Sequence, residues 1–252
     1  MSFLNFSRIP RWERYKLFFQ VTIFRYLVLW FSIVPVIVQF VESAKSSFTF
    51  KIGENPVILD LNPQMPFSWQ ILWVSSFFFF LALTIYHLRC PTFIKSYNTF
   101  TDYLSFGHDP RWLAWEARDL VRDINEESLK KFADRLSIKK YVIEKPDDFT
   151  CHENDNPLVG ELQTTCFFKV DNKNMALAMP IMRCGIIVAD AERGVFWEIF
   201  GRFSDSRFKS RLIVCVLLIL SGLTFLWVLL QHVFTGLLLI LNQTGNNTVV
   251  SY

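Results

Sequence analysis

The residues best suited to chemistry lie between Glu144 and Asp155, where Asp147, Asp148, Cys151, His152, Glu153 and Asp155 crowd into one polar stretch. Such a set could hold a metal ion or run acid–base chemistry. Its spacing argues against both. Cys151 and His152 are adjacent, whereas a Cys–His catalytic pair is brought together from distant positions. The acids lack the alternation and central glycine of a calcium loop. The stretch reads as a solvated loop. His108, just before Asp109-Pro110, reads as a turn residue. The five cysteines (Cys90, Cys151, Cys166, Cys184 and Cys215) are odd in number and contain no CxxC pair, which argues against a disulfide framework or a zinc site. No P-loop, dinucleotide-binding glycine pattern, HExxH, GxSxG or kinase signature occurs. No catalytic, cofactor-binding or metal-binding residue is therefore assigned, no cofactor is expected, and the chain does not read as an enzyme.

Three other residues draw attention because they sit in apolar surroundings: Arg25, Pro35 and His232. Arg25 and Pro35 lie within the apolar run FFQVTIFRYLVLWFSIVPVIVQF, and His232 lies within a second such run. A permanent cation inside a membrane helix is expensive and marks either function or a side chain that snorkels to the headgroups. Pro35 removes one helix hydrogen bond and should kink the helix. His232 is either an interhelical polar group or a residue at the outer interface.

These positions presuppose membrane spans. Of 252 residues, 52% are hydrophobic and 27 are phenylalanine, while 19% are charged, below the roughly 25% usual for globular domains. The charges are sparse in three long stretches. An α-helix needs about 20 mostly apolar residues to cross the hydrocarbon core, and three stretches qualify: 17–41, 67–88 and 212–241. The third, at about 45 Å of helix, is longer than one crossing needs. Either it tilts, or it stops near Gln231-His232 and its end lies along the far interface; in both cases it crosses once.

Flanking charge sets the direction. Arg8, Arg11, Arg14 and Lys16 precede the first span, Arg89 and Lys95 follow the second, and Arg202, Arg207, Lys209 and Arg211 precede the third. The 42–66 loop holds two lysines against three acids, and the tail 242–252 carries no charged side chain. Positive charge stays cytoplasmic. The segment 1–16 and the region 89–211 are expected in the cytosol; the 42–66 loop and the tail are expected in the periplasm. The first span is expected to be a retained anchor rather than a cleaved signal peptide. Arg25 stands 16 uncharged residues before Glu42, about 24 Å of helix, which puts it just inside the cytosolic leaflet and within snorkelling reach.

The region 89–211 predicts an α+β domain of two or three helices followed by antiparallel strands. SYNTFTDYLSF reads as an extension of the second span. A helix is expected over DPRWLAWEARDLVRDI with Asp109 as its cap and Pro110 first, and another over EESLKKFADRL capped by Asn125. IKKYVIE, ELQTTCFFKV and MALAMPIM read as strands, the last two joined at DNKN, and GIIVADAERGVFWEIF reads as a hairpin turning at ADAERG. The fold class is thus an α+β membrane protein with three transmembrane helices and the domain between the second and third.

Two N-terminal spans, with RWERYK before them and RCPTFIK after, give a layout that resembles the small transmembrane effectors of bacterial anti-phage systems, including those paired with retrons. The resemblance implies an inner-membrane effector whose cytosolic domain senses a partner or signal and whose helices perturb the bilayer in abortive infection. Expected partners are the lipid bilayer and a protein partner or further copies of the chain. A net charge of +3 is too small to argue for nucleic acid. The alternatives are an immunity or plasmid entry-exclusion protein and a structural subunit of a membrane complex.

Overall fold

The structure is a computed structural model. It describes residues 9–21, 26, 29, 33, 36–37, 40, 48–52, 55–59, 68–145, 156–183 and 185–247. In chain order its elements are α1 (Trp12–Gln20), β1 (Phe48–Ile52), β2 (Asn55–Leu59), α2 (Trp69–Arg89), α3 (Thr92–Ser96), α4 (Phe100–Ser105), α5 (Trp112–Asp123), α6 (Glu126–Ile138), β3 (Val142–Lys145), β4 (Leu158–Val159), β5 (Gln163–Val170), β6 (Lys173–Pro180), α7 (Ile186–Asp205) and α8 (Phe208–Asn247). The chain divides into two compact units, one formed by residues 1–17 and 89–211, the other by 18–88 and 212–252.

The first unit is α+β. Its sheet is antiparallel in the order β3-β6-β5-β4. β5 and β6 meet at Asp171-Asn172, whose φ values of 48° and 63° give the doubly left-handed two-residue turn that suits strand twist. That is the DNKN turn read from the sequence. Asn125 caps α6 as expected, accepting from the Ser128 N–H at 3.1 Å. α5 starts two residues later than predicted. The Asp109 carboxylate pairs with Arg111 at 3.1 Å instead of capping, and its carbonyl accepts from the Trp112 N–H. Of IKKYVIE, only the end is strand: α6 runs through Ile138, and Lys140 turns the chain with φ 59°.

The predicted hairpin over GIIVADAERGVFWEIF is wrong. The segment is the 20-residue helix α7. Val195, Phe196, Ile199, Phe200 and Phe203 recur at helical spacing and are all buried, and α4, α5 and α6 pack against this helix. The glycine that resembled a turn, Gly194, is a close approach: a Cβ there would stand 2.5 Å from the Tyr141 hydroxyl. The long extension of the second span is also absent. α2 ends at Arg89, Cys90-Pro91 breaks the path, and α3 and α4 follow as separate short helices, α4 closed by a Thr99–Asp102 capping box. Phe93 on α3 and Tyr103 on α4 join Phe196 in a nucleus of rings with centroids 5.3–5.5 Å apart.

In the second unit, α2 and α8 run antiparallel. Ser75 Oγ donates to the Ser221 carbonyl at 2.8 Å, and Ser221 Oγ donates to the Ser75 carbonyl at 2.9 Å. Leu72 packs on Val228, and the Ser68 N–H reaches Gln231 Oε1 at 3.3 Å. Small residues let the backbones approach, and each hydroxyl finds a carbonyl. Gln231 thus ties α8 to the residue just before α2. The most apolar 18-residue stretch of α8, within Phe208–Leu238, is 17% buried and so faces largely outward. A core helix of a soluble protein would bury most of that surface.

Among the described residues two helices, α2 and α8, are long and apolar enough to cross a membrane, not three. Most of the first predicted span, Arg25 and Pro35 included, lies outside the described residues; Tyr26, Leu29, Ile33, Val36, Ile37 and Phe40 are helical and exposed. The 42–66 segment, read as a plain loop, contains the β1–β2 hairpin pairing Phe48 with Leu59 through Ile52 with Asn55.

Candidate functional site

The chain leaves the first unit at three points: after Leu17, at Arg89 and at Arg211. Residues of that unit tie the three exits together. α1 places Trp12, Tyr15 and Lys16 on one face, since positions three and four apart are neighbours on a helix. The Trp12 indole N–H donates to the Ser206 carbonyl at 3.1 Å, the Tyr15 hydroxyl to the Arg211 carbonyl at 3.1 Å, and Lys16 Nζ to the Ile94 carbonyl at 2.8 Å. All three side chains are buried. Burial lowers the pKa of Lys16 below that of an ordinary lysine, with the charges of Asp102 and Cys90 opposing the shift.

Two arginines complete the junction. Arg211 is buried and donates to the Pro10 carbonyl at 3.2 Å and the Asp205 carbonyl at 2.7 Å. Arg207 sits between α7 and α8 with a left-handed φ of 52°, a conformation that a non-glycine residue holds only when its surroundings fix it. Its guanidinium grips both Asp123 oxygens at 2.9–3.0 Å and donates to the Arg89 carbonyl at 2.7 Å. Arg89 ends α2, so the cation also meets the negative end of that helix. Asp123 ends α5. One side chain therefore links the α5 terminus, the end of α2 and the start of α8.

Direct hydrogen bonds thus connect α1 and the end of α5 to residues 206–211, where α8 begins. The expected site residues lie elsewhere. His232 is on α8 and exposed, Arg25 and Pro35 are outside the described residues, and so is the acidic stretch 146–155, with Cys151 and His152. His108 packs among rings, 5.3 Å from Trp112 and 5.7 Å from Tyr103. Cys90 and Cys166 are buried thiols. Among the described residues no cluster of His, Cys, Asp and Glu is placed to hold a metal. The i, i+3, i+4 spacing of Trp12, Tyr15 and Lys16 was the available sequence signal for the junction. Charge counting absorbed those residues into a cytosolic flank instead.

The domain also buries titratable groups. Glu116 on α5 is pushed up to about 7, first by burial and then by the charge of Asp119, with Arg118 opposing. A carboxyl whose folded pKa is raised contributes stability that is fully present below its unfolded value of 4.5 and is lost as pH rises through 7. The span corresponds to about 3 kcal/mol. Glu116→Gln is expected to flatten that fall and to raise stability above pH 7; melting curves of wild type and variant between pH 4 and 8 check it, and parallel curves would refute it.

Comparison with protein-family models, curated proteins and solved structures gave no match.

Proposed function

We propose that this chain is a multi-pass inner-membrane protein, with its N-terminus and the 89–211 domain cytosolic and its C-terminus periplasmic. It acts as a non-enzymatic effector: the domain senses a partner or signal and the helices perturb the bilayer, in the manner of the anti-phage effectors its layout resembles. The observation that carries this reading is the junction, where Arg207, Trp12, Tyr15 and Lys16 join three chain exits to one folded domain. A domain merely tethered to membrane helices would need no such network. The outward apolar surface of α8 supports insertion, because only lipid or other helices cover such a surface without cost.

One observation favours a second reading. β1 and β2 form a two-stranded sheet of their own in the segment expected outside the membrane, so the outer edge of each has no strand partner within that sheet, and such an edge can take up a strand from another protein. That would suit an immunity or entry-exclusion factor.

Expression of the full chain in bacteria, followed with a potential-sensitive dye before and during phage challenge, separates the two. Depolarisation is the expected result. Cells that stay polarised throughout while excluding a conjugative plasmid would overturn the effector reading. A fluorescent reporter inserted near residue 150 is expected to report cytosol, and a periplasmic result would overturn the topology.

A further inference from the structure

Glu198, Arg202 and Asp205 fall at i, i+4 and i+7 on α7 and form one stripe about 10 Å long. Its two carboxylates are shared among four cations from other segments. Glu198 meets Lys139 at 2.7 Å and Arg135 at 3.5 Å, both from the end of α6. Asp205 meets Arg11 at 3.0 Å and Arg211 at 3.7 Å. Arg202 stands between the two acids, one turn from each. Among the described residues it has no hydrogen bond or ion pair of its own. With Arg202 counted, five cations face two carboxylates. Glu13 and Arg14 on α1 cancel each other, and Asp123 is held by Arg207. Burial and then the charge of Arg135 lower the pKa of Arg202 below the usual arginine range, with Glu198 and Asp205 opposing and Arg11 adding to the shift.

The stripe lies where the chain leaves the first unit. Arg11 precedes the exit after Leu17 by less than two helical turns, and Arg211 is the last residue of the unit. We propose that this stripe seats the phosphate of an anionic phospholipid headgroup, with Arg202 as its direct donor and Arg135 and Arg11 beside it. The proposal rests on the membrane topology proposed above and gives the lipid partner a chemical class. Clustered cations just cytoplasmic of a span meet the headgroup layer and attract its negative charge. The guanidinium fork of Arg202 matches two phosphate oxygens at once. A zwitterionic headgroup brings its own cation and leaves the positive excess in place.

The test uses the purified full chain in an uncharged detergent. Dioctanoyl phosphatidylglycerol, dioctanoyl phosphatidylcholine, glycerol 3-phosphate and a single-stranded oligonucleotide are each titrated, with binding followed by thermophoresis. Phosphatidylglycerol is expected to bind at least about tenfold more tightly than phosphatidylcholine or glycerol 3-phosphate. Arg202→Gln is expected to weaken it about fivefold, the effect of one cation near an anionic surface, and Arg202→Lys by less. Arg135 is 62% exposed, so Arg135→Gln leaves the packing alone, and it is expected to weaken binding by a similar factor. Arg193→Gln removes the same charge from an exposed position on the opposite side of α7 and is expected to change nothing. Equal affinity for the two lipids, glycerol 3-phosphate binding as tightly as phosphatidylglycerol, or tighter binding of the oligonucleotide overturns the proposal. So does a loss in Arg193→Gln as large as in Arg202→Gln and Arg135→Gln, because bulk charge alone would then account for the binding. The titration needs neither a membrane potential nor an oriented bilayer. Its failure therefore leaves the depolarisation result standing, and a periplasmic reporter overturns the topology whatever the titration gives.

Discussion

Replacing Trp12 with alanine is expected to destabilise the first unit by about 3–5 kcal/mol, the range for removing a large aromatic side chain from a closed site. Trp12 is 0% exposed. Its ring meets Tyr15 edge-on at 5.9 Å, and its N–H satisfies the Ser206 carbonyl at 3.1 Å. The alanine variant loses the packing, leaves a void and orphans a buried acceptor at the C-cap of α7, two residues before α8 begins. For a domain of this size the loss corresponds to a melting temperature lower by roughly 10–20 °C. Trp12→Phe keeps most of the bulk and loses the hydrogen bond, so it is expected to cost about 1 kcal/mol. Melting of the detergent-solubilised full chain measures both. If Trp12→Ala melts within a few degrees of wild type, α1 is a loose flank and the junction does not hold the first chain exit. The same variant tests the proposed coupling: with α1 released, the depolarisation expected under the proposed function should change at equal membrane abundance.

Removal of Arg183 should be equally damaging for a different reason. The Glu192 side chain is 1% exposed on α7 and meets Arg183 through two hydrogen bonds, 2.8 Å and 2.9 Å long. Arg183 also donates to the His108 carbonyl, holding the loop before α5. In Arg183→Ala the carboxylate stays buried with its partner gone, which costs about 3–5 kcal/mol. The pair as a whole contributes far less, because both ions had to be desolvated. Arg183→Met with Glu192→Leu is therefore expected to recover most of the loss, and the recovery distinguishes an uncompensated charge from a packing defect. A single variant within about 1 kcal/mol of wild type would mean that water reaches Glu192.

The sequence carried the hydrophobic inventory and the local signals. Apolar stretches long enough to cross a membrane are a matter of composition, and α2 and α8 appear where composition placed them. Turn chemistry at Asp171-Asn172 and the cap at Asn125 were legible because they depend on a few adjacent residues. The misreadings share a cause. Gly194 looked like a turn because glycine permits one, but it is needed where α7 passes the Tyr141 ring. Asp109 looked like a cap, but Arg111 claimed its carboxylate.

By itself, then, the sequence determined which stretches are apolar enough for lipid, where basic side chains gather, and that a mixed helix-and-strand domain falls between two of those stretches. Each follows from residue type read over a short window. Only the tertiary structure decided that Trp12, Tyr15 and Lys16 serve carbonyls 78 to 196 residues away, that Arg207 grips Asp123 across 84, and that α7 is a helix. Hydrogen bonds of that reach depend on which surfaces meet after folding, and no local periodicity encodes a meeting between residues so far apart in the chain.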